Sequence, residues 1–239
     1  MRRHELISFA DNVSLARAVA ERWLKLLDER SLSAPFCVAL SGGRIPKLFY
    51  AEMVRLTAAR PQIFANVHFF WGDERCVPPT DAESNFGLAN ENLFKPLGIA
   101  SAQIHRVYGE LSPNEAVVEA AREIASVVPK NASGQPSIDL VFLGMGEDGH
   151  VASLFPSESE EAMSSGAVFR AVTASKPPPR RITLGYAALA AANEVWVMAS
   201  GAGKEAALGE SLEENGPTPL ARLLRLRALT RIFSDIKPA

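Results

Sequence analysis

The chain is 239 residues long and 47% hydrophobic, enough to fill one large α/β unit with a sizeable core. Its 25 basic and 27 acidic residues are mixed along the sequence and leave a net charge of −2, so a small molecule is the expected partner, with no nucleic acid and no membrane. Cys37 in an apolar run and Cys76 beside a charged turn read as reduced thiols of a cytoplasmic protein, and no apolar stretch reaches signal-peptide or bilayer-spanning length.

Residues 14–27 place Leu15, Val19, Trp23, Leu26 and Leu27 at helical spacing, which predicts an opening helix with one buried face. Phe36–Leu40 is wholly apolar and ends in Ser-Gly-Gly, and a helical pattern follows over 46–56. That is strand, loop, helix. Similar apolar runs at Val67–Trp71, 138–143 and 195–199 have the character of strands in a parallel sheet covered on both faces. Ser112-Pro113-Asn114-Glu115 is a capping-box signature that starts a helix running to about Val128. The breakers at 131–137 and 176–179 are shorter than typical interdomain linkers, so residues 1–239 are expected to form a single domain. The order of elements predicts a doubly wound α/β/α sandwich with a mainly parallel sheet. Ligands of such folds sit beyond the carboxyl ends of the strands, here the loops after Leu40, Trp71, Leu143 and Ala199.

The first loop reads Ser41-Gly42-Gly43-Arg44-Ile45-Pro46. Two glycines let backbone N–H groups approach an anion, and the next helix offers its positive end; the plainer alternative is a tight turn. Neither the P-loop nor the dinucleotide fingerprint is present, so nucleotide binding is unsupported. The second loop carries Asp73-Glu74-Arg75, three charges that face either a pocket or solvent. The third runs Gly144-Met145-Gly146-Glu147-Asp148-Gly149-His150. Among the four histidines, His150 alone lies in a glycine-rich loop after a buried strand, and a free imidazole titrates at about 6.5, suited to general-base work. A histidine satisfied by a backbone carbonyl is the bland alternative.

Zinc held by Glu147, Asp148 and His150 is disfavoured because a catalytic site normally takes more than one His or Cys, and neither His68 nor His105 has partner spacing. No Gly-x-Ser-x-Gly elbow occurs, which leaves water as the nucleophile and no cofactor. Arg180-Arg181 at the start of a predicted strand and Lys204 after Ser200-Gly201-Ala202-Gly203 are either phosphate contacts or ordinary surface cations.

Taken together, Ser-Gly-Gly-Arg-x-Pro, Trp-Gly-Asp-Glu-Arg, Gly-Met-Gly-Glu-Asp-Gly-His-Val-Ala-Ser-Leu-Phe-Pro, Pro-Pro-x-Arg-Ile-Thr-Leu and Gly-x-x-Lys resemble the 6-phosphogluconolactonase family in kind and order. The likeness runs from the opening helix to residues 229–235. It implies the fold of glucosamine-6-phosphate deaminases and ribose-5-phosphate isomerases, and hydrolysis of 6-phospho-D-glucono-1,5-lactone to 6-phosphogluconate, the second step of the oxidative pentose phosphate pathway. It further implies His150 as the base on water, with Ser41, Gly42, Gly43, Arg44, Arg181 and Lys204 around the phosphate. Asp73 and Arg75 would face the sugar, and Asp148 would shape the loop or orient the imidazole. Ile45 stands where the family usually has threonine, which shifts phosphate binding onto backbone N–H groups and Arg44. Two alternatives stay open. A deaminase would need Glu and Tyr where this chain has Phe155 and Arg75. A noncatalytic sugar-phosphate binder would have no use for His150. The oligomeric state and the choice between Arg180 and Arg181 are open at this level.

Overall fold

The computed structural model describes residues 4–30 and 34–237. β1 (His4–Ser8) leads into α1 (Asn12–Glu29), which starts where Asp11 accepts the Ser14 N–H while the Ser14 side chain accepts the Asp11 N–H. The buried face of α1 carries Leu15, Val19, Trp23 and Leu27. β2 (Phe36–Leu40), fully buried, is followed by α2 (Arg44–Thr57). That helix begins two residues before the expected Pro46, which the first turn accommodates because its N–H groups have no intrahelical acceptor. β3 (Val67–Trp71) and the short β4 (Asp73–Arg75) come next. They precede α3 (Asn85–Ala89), one π turn (Asn90–Phe94) and α4 (Lys95–Leu97). α5 (Pro113–Val127) carries the expected capping box at Ser112 and Glu115. The remaining elements are β5 (Leu140–Gly144), α6 (Glu160–Met163), β6 (Phe169–Thr173), β7 (Arg180–Leu184), α7 (Tyr186–Ala191), β8 (Glu194–Ala199), α8 (Glu205–Leu212), α9 (Pro219–Leu226) and β9 (Thr230–Ser234).

Six strands form one parallel sheet in the order β1-β9-β8-β5-β2-β3. Its core is dense with aromatic rings: Trp23 of α1 lies 5.3 Å from Phe142 of β5, and Phe49 of α2 lies 4.8 Å from the same ring. The fold is the expected α/β type with a mainly parallel sheet and flanking helices. Two features go beyond the sequence reading. β1 is an edge strand with no fully buried residue, so it lacks the apolar run that marks the others. β4, β7 and β6 make a second, antiparallel sheet that pairs Arg75 with Arg181 and carries both into the site.

The chain crosses from β2 to β3 on one side, and β5 then pairs on the other side of β2. This reversal opens a crevice at the carboxyl ends of β2 and β5, the usual ligand position in such sheets. No helix among the described residues is long and apolar enough to cross a membrane.

Candidate active site

Beyond β2 the chain turns through Ser41, Gly42 and Gly43. Gly43, at φ 105°, has the left-handed backbone that favours glycine and sits at the cap of α2. The buried Tyr50 hydroxyl donates to the Ser41 carbonyl at 2.6 Å and pins the turn from below. Beyond β8, Ser200 Oγ and the Gly201 N–H donate to Asp235 at 2.9 and 3.2 Å, which fixes the loop that delivers Lys204 at the start of α8. A methyl added at Gly201 would lie 3.8 Å from an Arg44 guanidinium nitrogen, so the two loops meet. Burial, and then the charge of Arg44, lower the Lys204 ammonium below the ordinary lysine value. Among the described residues neither cation has a carboxylate at ion-pair distance, and both line the same pocket. A partly desolvated lysine and an exposed arginine beside glycine-rich backbone make an arrangement that can hold an anion.

The second sheet supplies the opposite wall. Asp73 is buried; its Oδ2 accepts from Ser153 Oγ at 2.7 Å and its Oδ1 from Asn85 Nδ2 at 3.3 Å. Arg75 lines the pocket and donates to the Glu83 carbonyl at 2.5 Å. The two arginines after the proline run divide: Arg181 is 7% exposed and lines the pocket, whereas Arg180 is exposed. Arg181 Nε donates to the Pro178 carbonyl at 3.0 Å, and burial followed by the charge of Arg75 lowers its guanidinium. Glu74 points away from the pocket. It is buried behind the wall, where desolvation pushes it up to about 7 against the lowering pull of the Phe86, Asn85 and Arg75 amides.

The loop after β5 folds back on itself: the Gly146 N–H donates to the His150 carbonyl at 2.9 Å, and the Leu220 N–H at the start of α9 donates to the Gly149 carbonyl at 3.1 Å. His150 Nδ1 lies 2.5 Å from Asp148 Oδ1, which also accepts the His150 backbone N–H at 3.2 Å. A carboxylate at that distance selects the tautomer with the proton on Nδ1 and leaves the Nε2 lone pair as acceptor. No hydrogen bond among the described residues engages Nε2. Partial burial would raise Asp148, but the charge and hydrogen bonds of His150 hold it below the ordinary carboxylate value. The Phe155 ring packs 4.9 Å from the imidazole, and the Arg181 guanidinium lies 5.9 Å from the same ring.

Ser41, Gly42, Gly43, Arg44, Asp73, Arg75, His150, Arg181 and Lys204 thus surround one pocket of about 250 Å³, and Asp148 stands behind His150 rather than on the wall. Ile45 is on the wall too, 8% exposed, and offers no hydroxyl. Asn12 from the start of α1, Asn85 from the start of α3, and Met198 at the end of β8 also reach the pocket, none of them singled out by the sequence. Ser84 caps α3 by accepting the Gly87 N–H at 3.0 Å, which sets Asn85 in its first turn. His68 and His105 form a separate chain, with ring nitrogens 2.8 Å apart and His105 then 2.7 Å from Glu123. Among the described residues no three His, Cys, Asp or Glu side chains are grouped so that they could hold a metal ion.

The profile of the family described as glucosamine-6-phosphate isomerases/6-phosphogluconolactonase matches residues 10–230. The 6-phosphogluconolactonase of Haemophilus influenzae is 32% identical over 209 residues, covering 85% of this chain and 86% of its own. The solved structure of 6-phosphogluconolactonase from Trypanosoma brucei superposes with a TM-score of 0.83 at 27% identity, covering 96% of this chain and 95% of its own. A monomeric glucosamine-6-phosphate deaminase shares the fold at a TM-score of 0.80 and 19% identity, covering 96% of this chain and 97% of its own. With nearly its whole length matched, this chain belongs to the glucosamine-6-phosphate isomerase/6-phosphogluconolactonase family.

Proposed function

We propose that the protein hydrolyses 6-phospho-D-glucono-1,5-lactone to 6-phosphogluconate, with His150 as the general base. The observation that carries this reading is the imidazole on the pocket wall, its Nδ1 tied to Asp148 at 2.5 Å and its Nε2 open to a water. Nε2 takes a proton from water as the oxygen adds to the C1 carbonyl. The tetrahedral oxyanion then collapses, the bond from C1 to the ring oxygen breaks, and the ring oxygen leaves as a hydroxyl by taking the proton held on Nε2, which regenerates the neutral imidazole. The phosphate sits on the Gly42–Gly43 amides, Arg44, Arg181 and Lys204, where charge-assisted bonds hold a dianion. Asp73 and Arg75 face the sugar. Ile45 adds no hydroxyl, so the backbone and Arg44 carry that side of the phosphate.

Phe155 argues against the deaminase reading. It packs at a tilt against His150 where a deaminase would place a carboxylate, and amine elimination with ring opening requires a second proton-transfer group beside the histidine. The unpaired thiols of Cys37 and Cys76 suit a cytoplasmic enzyme. The deciding experiment is an assay of purified protein on freshly made phosphorylated lactone with spontaneous hydrolysis subtracted. Acid release that persists in chelator is expected; zinc-dependent activity would sink the metal-free mechanism. Ammonia released from glucosamine 6-phosphate at a comparable rate would reverse the assignment.

The anion site makes a separate prediction. Arg181→Ala and Lys204→Ala should each raise KM for the phosphorylated lactone by about tenfold to a hundredfold, the range for a lost hydrogen bond to a charged group. Activity on unphosphorylated gluconolactone should change little. Full retention of the preference for the phosphorylated substrate in both variants would move the anion site elsewhere.

A further inference from the structure

Behind the pocket wall lies a buried polar group that the proposed reaction does not use. Asn85 is 2% exposed and reaches the wall from the start of α3. Its Nδ2 donates to the Asp73 carbonyl at 2.8 Å and to Asp73 Oδ1 at 3.3 Å. The same amide presses on the anion loop, because a methyl added at Gly42 would lie only 1.8 Å from Asn85 Oδ1. One side chain therefore touches both the sugar-facing strand and the phosphate-facing turn.

The backbone of Asn85 is itself held. Glu74 Oε1 accepts the N–H groups of Arg75 and Asn85, each at 2.8 Å, while Oε2 accepts the Phe86 N–H at 2.7 Å and the Ser84 hydroxyl at 3.1 Å. Four donors converge on two buried oxygens, an arrangement that a carboxylate satisfies and an amide does not. Asp73 is gripped from its other side by Ser153 Oγ at 2.7 Å, from the turn that carries His150. The terminal torsion of aspartate is broad, so a carboxylate keeps one plane only when both oxygens are engaged.

Resting on the lactonase reading, we infer that Asn85 is a positioning residue: it sets the plane of the Asp73 carboxylate and seats the Gly42–Gly43 turn, so that the two walls of the pocket keep one spacing. A side chain that served only the fold would lower stability without acting through Asp73. The two roles separate in a double-mutant cycle, since residues acting as a unit are non-additive.

The cycle uses Asn85→Ala, Asp73→Ala and the double variant of the full chain, read by kcat/KM on the phosphorylated lactone and by calorimetric Kd for 6-phosphogluconate. Asn85→Ala is expected to lower kcat/KM about tenfold or more, the scale of a lost buried hydrogen bond to a charged group. In the Asp73→Ala background the same change should cost severalfold less, because only the part of its role that acts through the Gly42–Gly43 turn is left. If Asn85→Ala folds poorly, Asn85→Asp keeps the volume, removes the donor and sets a second carboxylate beside Asp73, and it should lose at least as much. Equal losses in both backgrounds, or an Asn85→Ala enzyme with unchanged kcat/KM and Kd, would overturn the inference. A parent protein that binds 6-phosphogluconate and shows the coupling in Kd, yet does not hydrolyse the lactone, would sink the lactonase reading and leave the role of Asn85 standing. A parent that neither binds nor hydrolyses would sink both.

Discussion

His150→Asn is expected to fold like the parent and to lose roughly a hundredfold to ten-thousandfold in kcat, the range for removing a positioned general base. The asparagine amide can donate to Asp148 much as Nδ1–H does across 2.5 Å, so the loop keeps its internal bond. What disappears is the Nε2 lone pair. The imidazole side chain is 25% exposed and packs on Phe155, which limits the packing loss from the smaller group. KM should change little, because the proposed phosphate contacts come from the loops after β2 and β8 and from Arg181 at the start of β7. Near-parental activity would transfer the role to another group, and Asp73 would be the first to test.

How much of this was legible in the sequence follows from where the physics is local. The strands at Phe36–Leu40 and Val67–Trp71 announce themselves because both faces are covered, so every position except the half-buried His68 is apolar. The α5 start was readable because a capping box is written in four adjacent residues. β1 and the second sheet were not, because their partners lie far along the chain: His4 pairs with Thr230, and Arg75 pairs with Arg181. From sequence, Asp73 and Glu74 could face either a pocket or solvent, and only hydrogen bonds to residues further along the chain account for their burial. The same limit applies in the pocket. His150 stood out by its glycine-rich loop, and Lys204 by its place after a strand. Asn12 and Asn85 begin helices, and nothing in their neighbours tells a capping position from a pocket wall. The choice between Arg180 and Arg181 is decided by strand alternation in β7, which places one outward and one inward.

Gly146→Ala should cost nearly as much activity as loss of the histidine, through space alone. A methyl at Gly146 would lie 2.0 Å from His150 Nδ1, 2.1 Å from Cε1 and 2.8 Å from Asp148 Oδ1. Separations that short are far inside van der Waals contact, so either the imidazole leaves its position or the loop opens. In both cases the Nδ1 bond to Asp148 is broken, and with it the tautomer and aim of Nε2. Misplacing a catalytic group by about 1 Å costs on the order of a hundredfold, so kcat should fall by at least about that factor. The loop is half-exposed at Gly146 and its far end is held by the Leu220 N–H, so the melting temperature should move far less than the rate. Gly166→Ala is the matched control: a methyl there meets nothing within 4 Å, and both rate and stability should stay near the parent values. The clash acts on the base and not on the anion site, so KM for the phosphorylated lactone should hold while kcat drops. A Gly146→Ala enzyme with parental kcat would show that the loop can shift the imidazole aside at no catalytic cost, and the tight contact between Gly146, Asp148 and His150 would then have no part in catalysis.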